Sequence, residues 1–569
     1  MILYIHYQKG TLLILLTVSL ILLTSLTQAQ TSSNNYALPP PMITGIPQGP
    51  SNNTYPNPEY ARLVAYSLYF YEAQRSGKLP TNNRVSWRHD SALNDGQDVN
   101  LDLSGGYYDA GDYVKFTFPL SWTITTIAWG ALEWNQGYQL ANQTQYLMDM
   151  VKWGTDWFIK ASSNTNSTEY QYLYVMVGNL NIDHNYFGPD TNIPTPRPSS
   201  KVDTSSHGTD AAAGVAAAFA ASSILFQSND SNYSNTLLTY AKNLYAFAET
   251  TPFTLYQNSA PLVKEGYSST NYADELVWGA LWLYRATNDT TYLNKAVNYF
   301  NSNSFSKKVF NWDEKSGGNY VLFAQLFQQS GQDSSRWKSL AEKYLDTIIK
   351  TSGGDCTFTD GGLFWCDGDS DDASLTVSLG AAFLSLVYSP IATSNTKSRE
   401  YINFALSQID YTLGKNPLNT PYVIGVHPNS PQNPHHAGAH GGSDMNNPPQ
   451  TLNILYGGIV GGPDKGDDFS DSRSDYAHTE VAMDYNAAFQ SLMAYQMINS
   501  HTDPYYVNVP PGIPKRRKIS TGVIIAIVML CLLLLIIAAV LFWKRKAIVD
   551  WWKRRRQTKS NGHYEYGSY

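Results

Sequence analysis

Apolar residues recur three and four positions apart through most of the middle of this chain, in stretches at 59–76, 122–136, 143–161, 208–227, 234–249, 272–287, 290–302, 318–330, 333–349, 372–388, 398–413 and 480–499. That period puts them on one stripe of a helix, so twelve helices are predicted, joined by long Gly- and Pro-rich connections. Strand-like alternation is sparse. Several stretches are full of alanine, as in "TDAAAGVAAAFAASSILF" at 209–226. Small side chains let helices approach closely, which suits helices packed on both sides. Twelve helices in six hairpins predict an all-α fold, a double ring whose long connections gather at one end to form a cleft.

The apolar pattern changes character at both ends. Residues 1–29 combine Lys9, the run "LLILLTVSLILL" and small residues up to Ala29, the pattern of a secretory signal, with an uncleaved anchor as the other reading. Ile519–Trp543 is a run of 25 residues without a charge, long enough to span a bilayer as a transmembrane helix. Basic groups flank it on both sides, and the heavier cluster after Trp543 predicts a cytoplasmic tail, 544–569. The remainder divides into a flexible leader at 30–55, one domain at 56–500 and a linker at 501–518. A single-pass type I protein of the cell membrane is expected, with its main domain extracellular. Six glycosylation sequons, at Asn52, Asn142, Asn166, Asn229, Asn232 and Asn288, agree with that placement.

Composition narrows the chemistry. The chain has 41 Tyr, 14 Trp and 21 Phe against 15% charged residues, a loading that suits stacking on flat hydroxylated ligands and equally suits a large core. A net charge of −7 leaves no basic footprint for nucleic acid, and no phosphate-cradling glycine loop is present. Cys356 and Cys366 either pair as a disulfide or remain buried thiols.

Two carboxylate clusters stand out. "SGGYYDAGDYVKF", Ser104–Phe116, sets Asp109 and Asp112 three residues apart, where both could simply cap a tight turn. "FSDSRSDYAHTEVAMDYNA", Phe469–Ala487, holds Asp471, Asp475, Glu480 and Asp484. Read as local structure, Asp475 or Thr479 caps the last helix and Glu480 is a solvated first-turn glutamate. Read as chemistry, Glu480 is a carboxylic acid kept protonated by Asp471 and by the aromatic rings of Phe469, Tyr476 and Tyr485.

The run "YFYEAQRSGKLPTNNRVSWRHDSALNDGQDVNLDLSGGYYDAGDYVKFTFPLSWT", Tyr69–Thr123, resembles the N-terminal signature of glycoside hydrolase family 9, the endoglucanases. The likeness continues through "KWGTDWFIKA", "YADELVWGALWLYRAT", "QIDYTLGKNP" and "NPHH" to the final cluster, covering about 56–500. It implies an (α/α)6 barrel that hydrolyses internal β-1,4-glucosidic bonds of cellulose or related β-glucans with inversion. By the resemblance Asp112 matches the general base, Asp109 its water-holding partner, Glu480 the general acid and Asp471 a supporting acid. His435 matches an active-site histidine, while His184, Tyr186, Phe187 and Tyr485 match substrate contacts. Each histidine has the alternative of a structural, hydrogen-bonded imidazole. The glycine of "DAGD" is expected to turn the backbone so that both aspartates enter the cleft.

"STNYADEL" resembles the family's calcium segment, with Asp274 and Glu275 as ligands of a structural ion, or with Asp274 merely capping a helix. No cofactor is expected in the chemistry. Three positions depart from the family pattern: Ala437 in place of the arginine of "PHHR", His427 in place of a glycine and His89 in "WRHD". Another β-glucan, an exo-acting mode or a carbohydrate-binding pseudoenzyme remain the alternative functions.

Overall fold

The computed structural model describes residues 53–163, 172–305, 308–351, 354–512 and 521–560. The expected signal at 1–29, most of the leader, the sequons at Asn52 and Asn166 and the end of the tail lie outside them. Two units are formed, Met1–Pro514 and Lys515–Tyr569.

Among its described residues the first unit holds twelve helices of 13 residues or more. They are α1 (Pro58–Ala73), α2 (Thr117–Glu133), α3 (Thr144–Ala161), α4 (Thr209–Phe226), α5 (Ser231–Ala248) and α6 (Ala273–Thr287), followed by α7 (Thr290–Ser302), α8 (Ser316–Gln329), α9 (Ser335–Ile349), α10 (Ser374–Tyr388), α11 (Asn395–Thr412) and α12 (Met483–Asn499). Each matches one of the twelve apolar stretches.

The even-numbered helices form a closed inner ring. α2 packs on α4, α4 on α6, α6 on α8, α8 on α10, α10 on α12, and α12 returns to α2. Outside it, α1 lies against α12, α3 against α2, α5 against α4, α7 against α6, α9 against α8 and α11 against α10. Sequence follows position. In α9 the buried apolar residues Trp337, Ala341, Tyr344, Leu345 and Ile348 make a single stripe, whereas α4 buries every residue except Ile224 and Leu225. Its alanines permit this because a larger side chain would hold the neighbouring helices apart: a Cβ on Gly214 would lie 2.8 Å from Ser121 Oγ on α2. Trp129, Trp278, Trp282, Phe310 and Phe383 interlock within the ring, with centroids such as Trp129–Phe383 at 5.4 Å.

α4 and the stretch Ser374–Ile391 are long and apolar enough to cross a membrane, yet 89% of each is buried within this ring. Apolar length alone therefore does not mark a span here.

Two small sheets complete the unit. In the first, β1 (Lys115–Phe116), β2 (Tyr172–Val177) and β3 (Ser199–Asp203) pair antiparallel, with Lys115 opposite Val177. In the second, β4 (Cys356–Phe358) pairs with β5 (Phe364–Cys366), and Cys356 and Cys366 face each other and form a disulfide. The expected linker is partly structure of the domain: Tyr506 and Val509 are buried, Tyr506 Oη donates to Glu59 Oε2 at 2.7 Å, and the Val509 carbonyl accepts from His427 Nε2 at 3.0 Å. The physical reason is the two apolar side chains, which the Pro-rich composition around them obscures. The second unit consists of α13 (Thr521–Trp543) and α14 (Arg545–Ser560).

Candidate active site

All six inner helices begin at the same end of the ring, and the segments leading into them enclose a cleft of about 690 Å³. Asp109 and Asp112 come from the approach to α2, Asp183 and His184 from that to α4, and Tyr267 from that to α6. Trp312 precedes α8, Asp372 precedes α10, and His435, Tyr476 and Glu480 precede α12. Asp484 and Tyr485 lie in the first turn of α12 itself.

Backbone hydrogen bonds tie the two carboxylate segments together. Met483 N donates to Asp109 O at 2.9 Å, Ala437 N to Gly111 O at 2.8 Å and His435 N to Thr479 O at 3.0 Å. Glycine is required at 111 for this contact: a Cβ there would stand 1.9 Å from the His435 carbonyl oxygen. The left-handed turn that leads into the segment comes instead from Gly105 and Gly106, at φ 89° and 71°. The glycine of "DAGD" thus serves close approach rather than turning. Beneath the loop lies Gln74, fully buried at the end of α1. Its Nε2 donates to Ala110 O at 2.6 Å and to Tyr108 O at 3.3 Å, and its Oε1 accepts from His436 Nε2 at 2.8 Å.

Asp109 is buried. Its Oδ2 accepts from Tyr267 Oη at 2.5 Å, while Oδ1 is buried with no hydrogen-bond partner. Burial, the Asp484 charge and then Asp112 hold its carboxyl well above the usual range, against the Tyr267 hydroxyl. Asp112 is more open: Val114 N donates to Oδ1 at 3.3 Å and His184 Nε2 stands 3.4 Å from Oδ2. The antiparallel pairing of β1 with β2 produces that last contact, because continuing the register beyond Lys115↔Val177 brings Asp112 beside the residues that follow β2. The Asp112 hydrogen bond in turn raises the His184 imidazole above its ordinary value, despite some desolvation.

Glu480 sits half-buried between the short helix Tyr476–Thr479 and α12. Burial foremost, then the Asp112 charge, pushes its carboxyl up to about 8, with Asp484 and Asp372 adding to the rise and His184 opposing it. Glu480 also lies ahead of α12, which begins at Met483, so it is not the solvated first-turn glutamate of the local-structure reading. Neither does Asp475 cap α12, since the residue preceding that helix is Ala482.

Asp471 is the main correction among the expected catalytic residues. It does not line the cleft; its carboxylate accepts the backbone N–H of Gln432 at 2.9 Å and of Asn433 at 3.0 Å, pinning the loop before His435. The N–H groups of Gln432 and Asn433, three and two residues ahead of His435, capture it, and the like charges acting on Glu480 are Asp112, Asp484 and Asp372. His435 does line the cleft. Its Nδ1–H donates to the Arg473 carbonyl at 2.7 Å, which leaves Nε2 as the ring's acceptor, and burial keeps the imidazole below its ordinary value. Tyr186, Phe187 and Tyr485 also line the cleft, with the Phe187 ring 5.3 Å from that of His435.

Asp274 and Glu275 lie outside the cleft, buried in the first turn of α6. Asp274 does not cap the helix, because Asn271 Oδ1 accepts the Tyr272 and Ala273 N–H groups. Lys315 N donates to Asp274 Oδ2 at 2.8 Å and Lys315 Nζ to Glu275 Oε1 at 2.9 Å, while Asp274 Oδ1 and Glu275 Oε2 are buried without a hydrogen-bond partner. Among the described residues no group of three or more His, Cys, Asp or Glu side chains is arranged to hold a metal.

The sequence profile of glycosyl hydrolase family 9 matches residues 60–493, which includes both carboxylate clusters. The chain belongs to glycosyl hydrolase family 9. Endoglucanase A of Bacillus pumilus is 40% identical over 455 residues, covering 79% of this chain and 67% of that protein. The structure of an endoglucanase from the termite Nasutitermes takasagoensis superposes with a TM-score of 0.70 at 39% identity, covering 77% of this chain and 98% of that one. Endoglucanase CelQ from Clostridium thermocellum, solved with cellotetraose, gives a TM-score of 0.69 at 29% identity, covering 82% of this chain and 73% of its own. This family 9 protein is accordingly a glycoside hydrolase, an endoglucanase of the cellulase type.

Three departures from the family pattern fall in different surroundings. Ala437 presents only a methyl group at the cleft. His427 seats the C-terminal segment, and His89 Nδ1 and N both bond the Asp190 carboxylate, each at 2.9 Å. Sequence reasoning missed Tyr267, Trp312, Asp183, Asp372 and Gln74. Gln74 lies within the quoted "YEAQRSG" motif, and a polar residue at the end of a helix otherwise buried along nearly its whole length was the available signal.

Proposed function

We propose that this endoglucanase cleaves internal β-1,4-glucosidic bonds by inversion, with Asp112 as general base, Asp109 holding the attacking water and Glu480 as general acid. The observation that carries the assignment is the Glu480 carboxyl, pushed up to about 8 within a cleft it shares with Asp112. At neutral pH it keeps the proton that a departing glucosyl oxygen needs, while Asp112 is set beside His184 to take one from water. Tyr186, Phe187, Trp312 and Tyr476 supply rings for the apolar faces of glucose units. CelQ, crystallised with cellotetraose, supports a cellulose-like β-glucan as the substrate. Chemistry of this kind uses no cofactor.

The pH profile tests the acid. Activity requires protonated Glu480, so it is expected to be lost as pH rises through about 8. Asp484 is one of the charges raising Glu480, and Asp484→Asn removes it. The alkaline limb should then move to lower pH. A limb that stays in place, or moves up, would count against Glu480 as the acid.

Asp274 and Glu275 fit a structural calcium ion in one respect: two buried carboxylate oxygens lack partners, and hard oxygen donors are what calcium prefers. Lys315 Nζ balances charge on Glu275 through the other carboxylate oxygen, at 2.9 Å. Chelation is expected to lower Tm by a few degrees and leave the shape of the pH profile unchanged; an unchanged Tm would remove the ion.

We further infer a single-pass type I arrangement with the catalytic unit outside the cytosol. Its support is the uncharged run Ile519–Trp543, the basic excess after it, a disulfide in the catalytic unit, and the exposure of the sequons at Asn142, Asn229, Asn232 and Asn288. In sealed vesicles protease added from the cytosolic side should remove only the tail, leaving a glycosylated catalytic unit. An unglycosylated, digested catalytic unit would overturn the arrangement.

A further inference from the structure

The second unit carries a pattern unrelated to glucan cleavage. Between Val528–Trp543 and Arg545–Arg555 the helix axis bends by 57°. Beyond the bend, Ile548, Trp551 and Trp552 stand at i, i+3 and i+4, on one face of α14, and all three are exposed. The two indole rings meet edge to face at 5.8 Å, and the Arg555 guanidinium lies over the Trp551 ring at 4.7 Å. At the end of α13 the Arg545 guanidinium lies over Phe542 in the same way, at 4.3 Å. Lys544, Arg545, Lys546, Lys553, Arg554, Arg555 and Arg556 cluster here against the lone acid Asp550.

We propose that α14 is a surface helix that lies along an anionic lipid leaflet. The inference rests on the reading of Ile519–Trp543 as a membrane span. Indole rings settle at the headgroup level, where their apolar bodies and N–H groups are both satisfied, and basic side chains beside them meet lipid phosphate and carboxylate. Running straight on would carry Trp551 and Trp552 off the bilayer into water, whereas the bend turns the helix away from the axis of the span. The lipid surface also gives the helix a reason to persist, because a 16-residue helix on its own is marginal in water. Charge complementarity selects the occupant: an anionic leaflet rather than a neutral one.

The full-length protein is reconstituted in vesicles of phosphatidylcholine alone and of phosphatidylcholine with phosphatidylserine. Resistance to alkaline carbonate reads integration, and amide hydrogen exchange is followed across 545–555. Exchange is expected to be roughly tenfold slower or more in the serine-lipid vesicles, with the protection lost in high salt. Protection should also vanish in Trp551→Ser/Trp552→Ser and in Arg554→Gln/Arg555→Gln/Arg556→Gln, with integration and glucanase activity retained in both. Equal exchange in the two lipids by integrated protein overturns the proposal, as does protection that appears only when an acidic protein is added. Release by carbonate would instead overturn the span on which it rests.

Discussion

Replacing Glu480 by glutamine is expected to lower turnover on cellulose about a thousandfold, yet to leave far more activity on a β-cellobiosyl fluoride. Glutamine keeps the shape of the side chain and removes the transferable proton. Cleavage of a glucosidic bond needs that proton on the departing oxygen, whereas fluoride departs without it. Stability should move the other way. In the unfolded chain a glutamate ionises near its ordinary value, but in the folded protein burial and Asp112 hold Glu480 protonated up to about 8. Between those two values the unfolded state loses a proton that the native state keeps, so this group reduces stability as pH rises. Glutamine has no such ionisation, and Glu480→Gln should melt higher than the parent at pH 8. Equal losses on both substrates would remove the acid assignment, and a lower melting temperature at pH 8 would remove its electrostatic explanation.

Asp112→Ala is expected to cost a comparable factor, again about a thousandfold, but with a different signature. The vacated space lies beside His184 at the cleft surface, where a small anion fits. Azide should restore part of the activity and yield an α-configured glucosyl azide from a β-linked substrate, because it attacks from the face that water would use. Asp109→Asn should also be impaired, through the lost water-holding oxygen and the altered Tyr267 contact, but azide should help it little since the Asp112 carboxylate still fills the approach. Rescue of Asp109→Asn but not of Asp112→Ala would exchange the two roles. A β-configured first product from the unaltered enzyme would rule out inversion.

Where a signal was local and repeated, the sequence carried it. The twelve helices were legible because a buried stripe repeats every turn, and even the buried alanine-rich α4 declared itself through composition. The carboxylates at 109, 112 and 480 were legible because their spacing is tied to motifs. Asp471 was misread for an instructive reason: it stands in the same motif as Glu480, but its oxygens are taken by two backbone N–H groups that only the fold brings near. Tyr267 was invisible for the same reason, since nothing in "EGYSST" announces a partner 158 positions earlier. The sheet that sets His184 against Asp112 was missed too, because β1 is two residues long and β2 is continuously apolar rather than alternating.

The closure of the inner ring through α12 and α2 has a consequence for how the enzyme comes into being. Asp112 arrives with the first inner helix and Glu480 with the last, and the hydrogen bond from Met483 N to Asp109 O forms only once α12 has found α2. A ribosome delivering this chain from its N-terminus therefore produces no working catalyst until the sixth hairpin has been released. A truncated product that stops before Glu480 is expected to be inert. Glucan cleavage thus reports closure of the ring, and a nascent glucanase is not expected to act inside the compartment that makes it until the sixth hairpin is in place.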